Sequence, residues 1–201
     1  MAKALAHMLC LSLALLQIGC GGSSNVKIAA DFPALLTQPR DLKAAVVLGS
    51  EFSSFVATPN KNVTIDIGSG QKAVWENSFA GLISDVTFVE SIDLIGGPKD
   101  LVVVPSVRDV QVSVPSENYL SVYEVWIKYN IDIIADDGSK IDQWFMPVYG
   151  KTSLSAFGKD KAIRSAAETA LRDVGAKLSL DFFRIPAIQR YLDNRIPEDN
   201  P

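Results

Sequence analysis

Residues 119–133 constrain the fold more than any other stretch of the chain. Tyr119, Tyr123, Val125, Ile127, Tyr129, Ile131 and Ile133 fall on one side of a period-two pattern, and Glu124, Lys128, Asn130 and Asp132 fall on the other. Successive side chains of a strand point to opposite faces, so this pattern predicts a long strand with one face packed and one face in water. Asp136-Asp137-Gly138-Ser139 is a hairpin-turn signal, and residues 141–154 supply a return strand. Pro147 places part of that return strand at an edge or a bulge, because proline donates no ladder hydrogen bond.

A sheet with one apolar face needs a second layer, and two segments with helical spacing can supply it. Trp75, Phe79, Leu82, Ile83 and Val86 share one face of a helix expected over residues 71–84, with Ser69 of Gly68-Ser69-Gly70 as its N-cap. Ile163, Ala166, Ala167, Ala170, Leu171, Val174 and Leu178 share a face of a second helix over residues 159–180, and its alanines allow close approach to a sheet. Further strands are expected at residues 44–48, 63–67, 87–95, 101–104 and 110–114, with Pro105 an interruption and Thr58-Pro59-Asn60 a turn. The expected fold is α+β: a two-layer sandwich in which a mostly antiparallel sheet of about 4–6 strands carries two amphipathic helices on one face.

The N-terminal stretch, residues 9–24 (LCLSLALLQIGCGGSS), determines the expected address. Residues 1–16 hold one cation, Lys3, and no acid. The apolar core, residues 8–18, falls short of the roughly 20 residues that a membrane-spanning helix needs. A basic start, a short apolar core and a small residue before the cut describe a removable export signal. Ile18-Gly19-Cys20 resembles the lipobox of bacterial lipoproteins, with Gln17 where that motif usually carries leucine. The resemblance implies cleavage before Cys20, a diacylglycerol thioether and an N-acyl group on Cys20, and outer-membrane sorting, since Gly21 and not Asp follows. The expected organisation is a signal peptide at 1–19, a flexible tether at 20–40 interrupted by Pro33 and Pro39, one periplasmic domain at 41–195 and a polar tail at 196–201.

That cleavage bears on chemistry. The cysteines are Cys10 and Cys20 and the single histidine is His7, so the mature chain would keep no histidine and no free thiol. It could build neither a Ser-His-Asp triad, nor a Cys-His pair, nor a zinc site of His and Cys ligands. The formal net charge of −4 gives no broad electrostatic reason to bind nucleic acid. The acids Asp132, Asp136, Asp137 and Asp142 lack calcium-loop spacing and read as a solvated turn. Ser69-Gly70-Gln71-Lys72 matches S-x-x-K without its partner motifs and reads as an ordinary helix start. No catalytic, cofactor-binding or metal-binding residue is expected.

The aromatic set Tyr119, Tyr123, Tyr129, Trp144, Phe145 and Tyr149 is expected mainly in the core. Trp126 differs. It shares the polar face with Glu124 and Lys128, and an outward tryptophan on a sheet can anchor a partner.

In element order, residues 16–20, the helix of Trp75 and Phe79, the 119–154 hairpin and the 159–180 helix, the chain resembles a loose group of envelope lipoproteins: the LPS-assembly lipoprotein LptE, YajG-like lipoproteins, and PqiC-like auxiliary lipoproteins of ABC-type transport. The resemblance implies a non-catalytic, outer-membrane-anchored periplasmic protein. It would be an accessory or assembly component of an envelope protein complex, held to the membrane through Cys20. The alternative is a lipid or glycolipid carrier with an apolar ligand between sheet and helices.

Overall fold

The computed structural model describes residues 23–153 and 158–195. The signal peptide expected at 1–19, Cys20, Leu154 and the tail expected at 196–201 lie outside them. Among the described residues the architecture is α+β, with a five-stranded sheet, a three-stranded sheet and four α-helices.

The larger sheet is built of β2 (Arg40–Val47), β5 (Ile83–Val89), β6 (Leu101–Ser113), β7 (Val122–Ile134) and β8 (Lys140–Ser153), in the order β5-β2-β6-β7-β8. β2 pairs in parallel with β5 and with β6, while β6–β7 and β7–β8 are long antiparallel ladders that hold most of the paired residues. Along β7 burial alternates at every position, as the sequence period demands: Tyr123, Val125, Ile127, Tyr129, Ile131 and Ile133 face inward. The smaller sheet orders β1 (Ser24–Lys27), β4 (Val63–Asp66) and β3 (Val56–Asn60) as β1-β4-β3.

Helices α2 (Gly68–Leu82) and α3 (Lys159–Asp181) cover the inner face of the large sheet, and the small sheet closes the same core beside them. Every apolar residue expected on the α3 face is fully buried. Gly150 on β8 brings α3 close: a Cβ there would stand 2.0 Å from the carbonyl oxygen of Ala166. Asp173 of α3 also accepts the backbone N–H of Tyr149 at 3.1 Å, so the helix satisfies a donor on the sheet's edge strand. Short helices α1 (Ser50–Ser53) and α4 (Pro186–Asp193) complete the fold.

Four expectations are corrected. The tether assigned to 20–40 gives way from Ser24 onward. β1 pairs with β4, and Val26, Ile28 and Phe32 are buried. Asn77 then donates to the Phe32 carbonyl and Thr37 to the Gly81 carbonyl, stitching the proline-containing stretch onto α2. Isolated apolar residues without a period look like linker in sequence, yet Val26, Ile28 and Phe32 find places in the core while Leu36 stays exposed. Second, Ser69 is not the cap of α2. The helix starts at Gly68 and Asp66 Oδ1 accepts the Gly68 N–H at 3.2 Å, while Ser69 Oγ donates to the Ile28 carbonyl at 3.1 Å. Third, Thr58-Pro59-Asn60 belongs to β3; Pro59 is tolerated because β3 is an edge strand with an irregular register between Ala57 and Asn60. Fourth, the aromatic residues are not all core. Tyr119 lies outside β7 and is fully exposed, and Phe145 is 45% exposed.

Candidate contact face on the outer side of the sheet

The helices occupy the inner face, so residues of opposite parity on β6, β7 and β8 form an outer face. Register places them in rows across the three strands. Gln111, Trp126 and Tyr149 make one row; Asp109, Lys128 and Pro147 make the next; Ser106, Asn130 and Phe145 make a third. Trp126 is half-buried because Tyr149 lies against it, ring centroids 4.9 Å apart and 38° between planes. Such cross-strand aromatic pairs contribute roughly 0.5–1.5 kcal/mol beyond area burial. Two rows further along, the Arg108 guanidinium stands 5.5 Å from the centre of the Phe145 ring.

Polar groups fix this aromatic row in place. The Tyr149 hydroxyl donates to Glu124 Oε1 at 2.7 Å, and Lys128 Nζ meets Asp109 Oδ2 at 2.9 Å. Gln111 Nε2 donates to the same Asp109 oxygen at 2.8 Å. Hydrogen bonding to Lys128 holds the Asp109 carboxyl below its ordinary range. Withdrawal from water and the Glu124 carboxylate push the Tyr149 phenol up to about 12. The native state therefore holds the Tyr149 proton more tightly than the unfolded chain does. The stability linked to it is fully present below about pH 10, the ordinary tyrosine value, and declines as pH rises from there through about 12. Ultraviolet phenolate titration is expected to show one tyrosine titrating near pH 12, and Tyr149→Phe is expected to remove that step.

Trp126, the contact residue expected from sequence, thus sits in the middle of this face. Tyr149 and Phe145 were missed as members of it. Their parity relative to the buried Met146 and Val148 was a usable signal, obscured by a nearly continuous apolar run from Trp144 to Tyr149. The face offers aromatic surface and paired charges, and its chemistry suits recognition.

The other expected features are absorbed into structure. Lys72 pairs with Glu76 at 3.9 Å, and the Ser69 hydroxyl donates to the Ile28 carbonyl. Asp132 pairs with Lys140, and Asp137 accepts the Ser139 N–H within the turn. Asp136 accepts from the Tyr191 hydroxyl and pairs with Arg195, contacts that hold its carboxyl below the ordinary range. Among the described residues no cluster of His, Cys, Asp and Glu is arranged to hold a metal ion, and no helix is long and apolar enough to cross a membrane.

Between sheet and helices, aromatic side chains pack against one another. Trp75 lies 5.7 Å from Phe52, 5.8 Å from Phe79 and 5.8 Å from Tyr129, and Phe79 lies 5.2 Å from Phe182. Gln71 donates to the Phe52 carbonyl and accepts the Tyr129 hydroxyl at 3.0 Å, a buried polar pair inside this aromatic packing.

The sequence matches no protein-family model and no curated protein. Several solved structures are distantly similar to it. A candidate lipoprotein from Caulobacter crescentus CB15 is 12% identical, with a TM-score of 0.42 over 77% of this chain and 92% of that one. A homolog of neuraminyllactose-binding hemagglutinin from Helicobacter pylori is 16% identical, with a TM-score of 0.47 over 81% of this chain and 97% of that one. A minor lipoprotein from Acinetobacter baumannii is 9% identical, with a TM-score of 0.43 over 76% of this chain and 95% of that one. These likenesses assign the chain to no family.

Proposed function

We propose that this chain is a lipid-anchored envelope protein that acts as a non-catalytic accessory or assembly component, binding a protein partner through the outer face of its sheet. One observation carries the contact reading: the Trp126–Tyr149 pair and Phe145 stand on the face that the helices leave open. The anchoring reading rests on this chain's own residues 16–20, and two of the similar solved structures are themselves named as lipoproteins. Outer-membrane placement on the periplasmic side follows from Gly21 after Cys20. The LptE, YajG-like and PqiC-like lipoproteins remain the group it resembles in element order. A lipid carrier would need a void where Trp75, Phe79, Tyr129 and Phe182 now pack, so no observation favours that second reading.

Two measurements test the proposal. Metabolic labelling with a fatty-acid probe is expected to mark the protein and to be lost in Cys20→Ser; persistent labelling of that variant contradicts the anchor. Crosslinking in intact envelopes is expected to recover a specific partner, and Trp126→Ala to reduce its recovery sharply. A central aromatic anchor contributes about 2 kcal/mol or more, about thirtyfold in affinity. Unchanged recovery from a folded Trp126→Ala protein would rule out the contact face.

A further inference from the structure

The β6–β7 connection, residues 114–121, presents an apolar tip. Tyr119 is fully exposed and Leu120 is 71% exposed, side by side. Asn118 makes most of the side-chain bonds that hold the loop open. Asn118 Nδ2 donates to Ser113 Oγ, to the Val114 carbonyl and to the Val122 carbonyl at 2.9, 3.2 and 2.9 Å. Its Oδ1 accepts the N–H groups of Leu120 and Val122 at 3.2 and 3.4 Å. Ser121 completes the turn in the left-handed region, at φ 53°. Two large apolar side chains are thus kept out of the core by a built loop.

The position of this tip relative to the chain start gives it a use. β1 begins at Ser24, whose N–H donates to the Asn62 carbonyl at 2.8 Å. Asn62 and its neighbours Asn60 and Lys61 line one cleft together with Val114, Ser116, Glu117 and Lys159. So the start of β1, the β3–β4 turn, the start of α3 and the Tyr119–Leu120 loop share one end of the molecule. Three residues separate Ser24 from Cys20, so the four steps between them reach about 14 Å at full extension. A domain whose first strand is fixed that close to an acylated cysteine cannot stand far from the bilayer, and the end it turns to the bilayer is this one.

We propose that the Tyr119–Leu120 tip docks into the lipid interface and sets the orientation of the anchored domain. This rests on the acylation of Cys20 proposed above. Tyrosine favours the membrane–water interface because its ring is apolar and its hydroxyl stays hydrated, and leucine adds burial in the acyl boundary. With the N-terminal end of α3 held at the surface, the rest of the domain projects into the periplasm.

The experiment uses the acylated chain in vesicles of phosphatidylethanolamine and phosphatidylglycerol doped with a headgroup-side nitroxide lipid. Acylated Cys20 is a thioether and Cys10 is removed, so Leu120→Cys supplies a single free thiol for a polarity-sensitive fluorophore. Leu180→Cys, also exposed, is the control: it lies near the far end of α3, about 30 Å from Lys159 by helix rise. The expected result is a blue shift and quenching about threefold or more stronger at 120 than at 180, since interfacial burial reaches only about 5–10 Å. Tyr119→Ser in the 120-labelled protein is expected to reduce that quenching. Vesicle-bound protein with equal or weaker quenching at 120 overturns the docking tip and leaves the anchor intact. Protein that fails to float with the vesicles overturns the anchor, and the docking tip with it.

Discussion

Gly150→Ala is expected to prevent folding or to destabilise the domain by about 3 kcal/mol or more, at the upper end of overpacking costs. An added Cβ would stand 2.0 Å from the Ala166 carbonyl oxygen and 2.4 Å from the Ala170 nitrogen. Both are backbone atoms in the middle of α3, so no side chain can rotate away. Relief requires the whole helix to lift from β8. That movement would uncover Ala166, Ala167 and Ala170, all fully buried, and separate Tyr149 from Asp173. A loss of this size is a large share of the 5–15 kcal/mol that holds an ordinary domain together. Gly96→Ala is the control, because a Cβ there meets nothing within 4 Å. Urea unfolding of both variants checks the expectation: Gly150→Ala shifts the midpoint strongly or yields no cooperative transition, and Gly96→Ala leaves it near the parent. Equal midpoints would show that α3 does not sit on Gly150 as described.

The second large effect is expected at Trp75. Trp75→Ala removes the centre of the Phe52, Phe79 and Tyr129 cluster and is expected to cost about 3–5 kcal/mol, the range for emptying a large aromatic site. Trp75→Phe is expected to be far milder. Among the described residues Trp75 Nε1 is buried without a hydrogen-bond partner, and phenylalanine removes that donor while filling most of the ring volume. Tyr129 provides the contrast within the same cluster. Its hydroxyl is the partner of Gln71 Oε1, so Tyr129→Phe orphans a buried acceptor. Thermal unfolding should rank Trp75→Phe above Trp75→Ala in stability. An inverted order would mean that the interlayer space is not packed around Trp75, and would reopen the carrier reading.

These effects matter for the functional proposal because they separate scaffold from surface. Gly150 and Trp75 hold the two layers together. Trp126, Tyr149, Tyr119 and Leu120 lie outside that packing, so their substitution tests contacts with a partner or a bilayer without emptying the core.

Much of the scaffold was legible in the chain. Tyr123 to Ile133 on alternate positions had to face one way, and Ile163 to Leu178 at helical spacing had to face one stripe; both signals are local, because side-chain direction follows from backbone period alone. The lack of histidine and free thiol beyond Cys20 likewise limits the chemistry with no structure needed. The candidate contact face was legible only as Trp126. Its partner Tyr149 depends on a register irregularity beside the turn. Ile134 pairs with Lys140 and Ile133 with Asp142, so Ile141 is skipped. Carried on without that skip, the register would set Trp126 opposite Val148, which is buried on the other face.

Tyr119 shows the opposite failure. The period of two runs through it in sequence, but β7 starts only at Val122, after Asn118 has gathered the loop around its own amide. Likewise, Ser24–Lys27 became a strand only because β4 offered an open edge, and β2 came to lie between β5 and β6 through connections that no local period encodes. The sequence by itself therefore determined the apolar faces of β7 and α3, since these depend on residue type and spacing, but not where α2 ends, because Ile83 and Val86 at helical spacing belong to β5. Only the tertiary structure decided strand order, the β7–β8 register and the exposure of Tyr119 and Leu120, since these depend on which distant backbone groups satisfy one another.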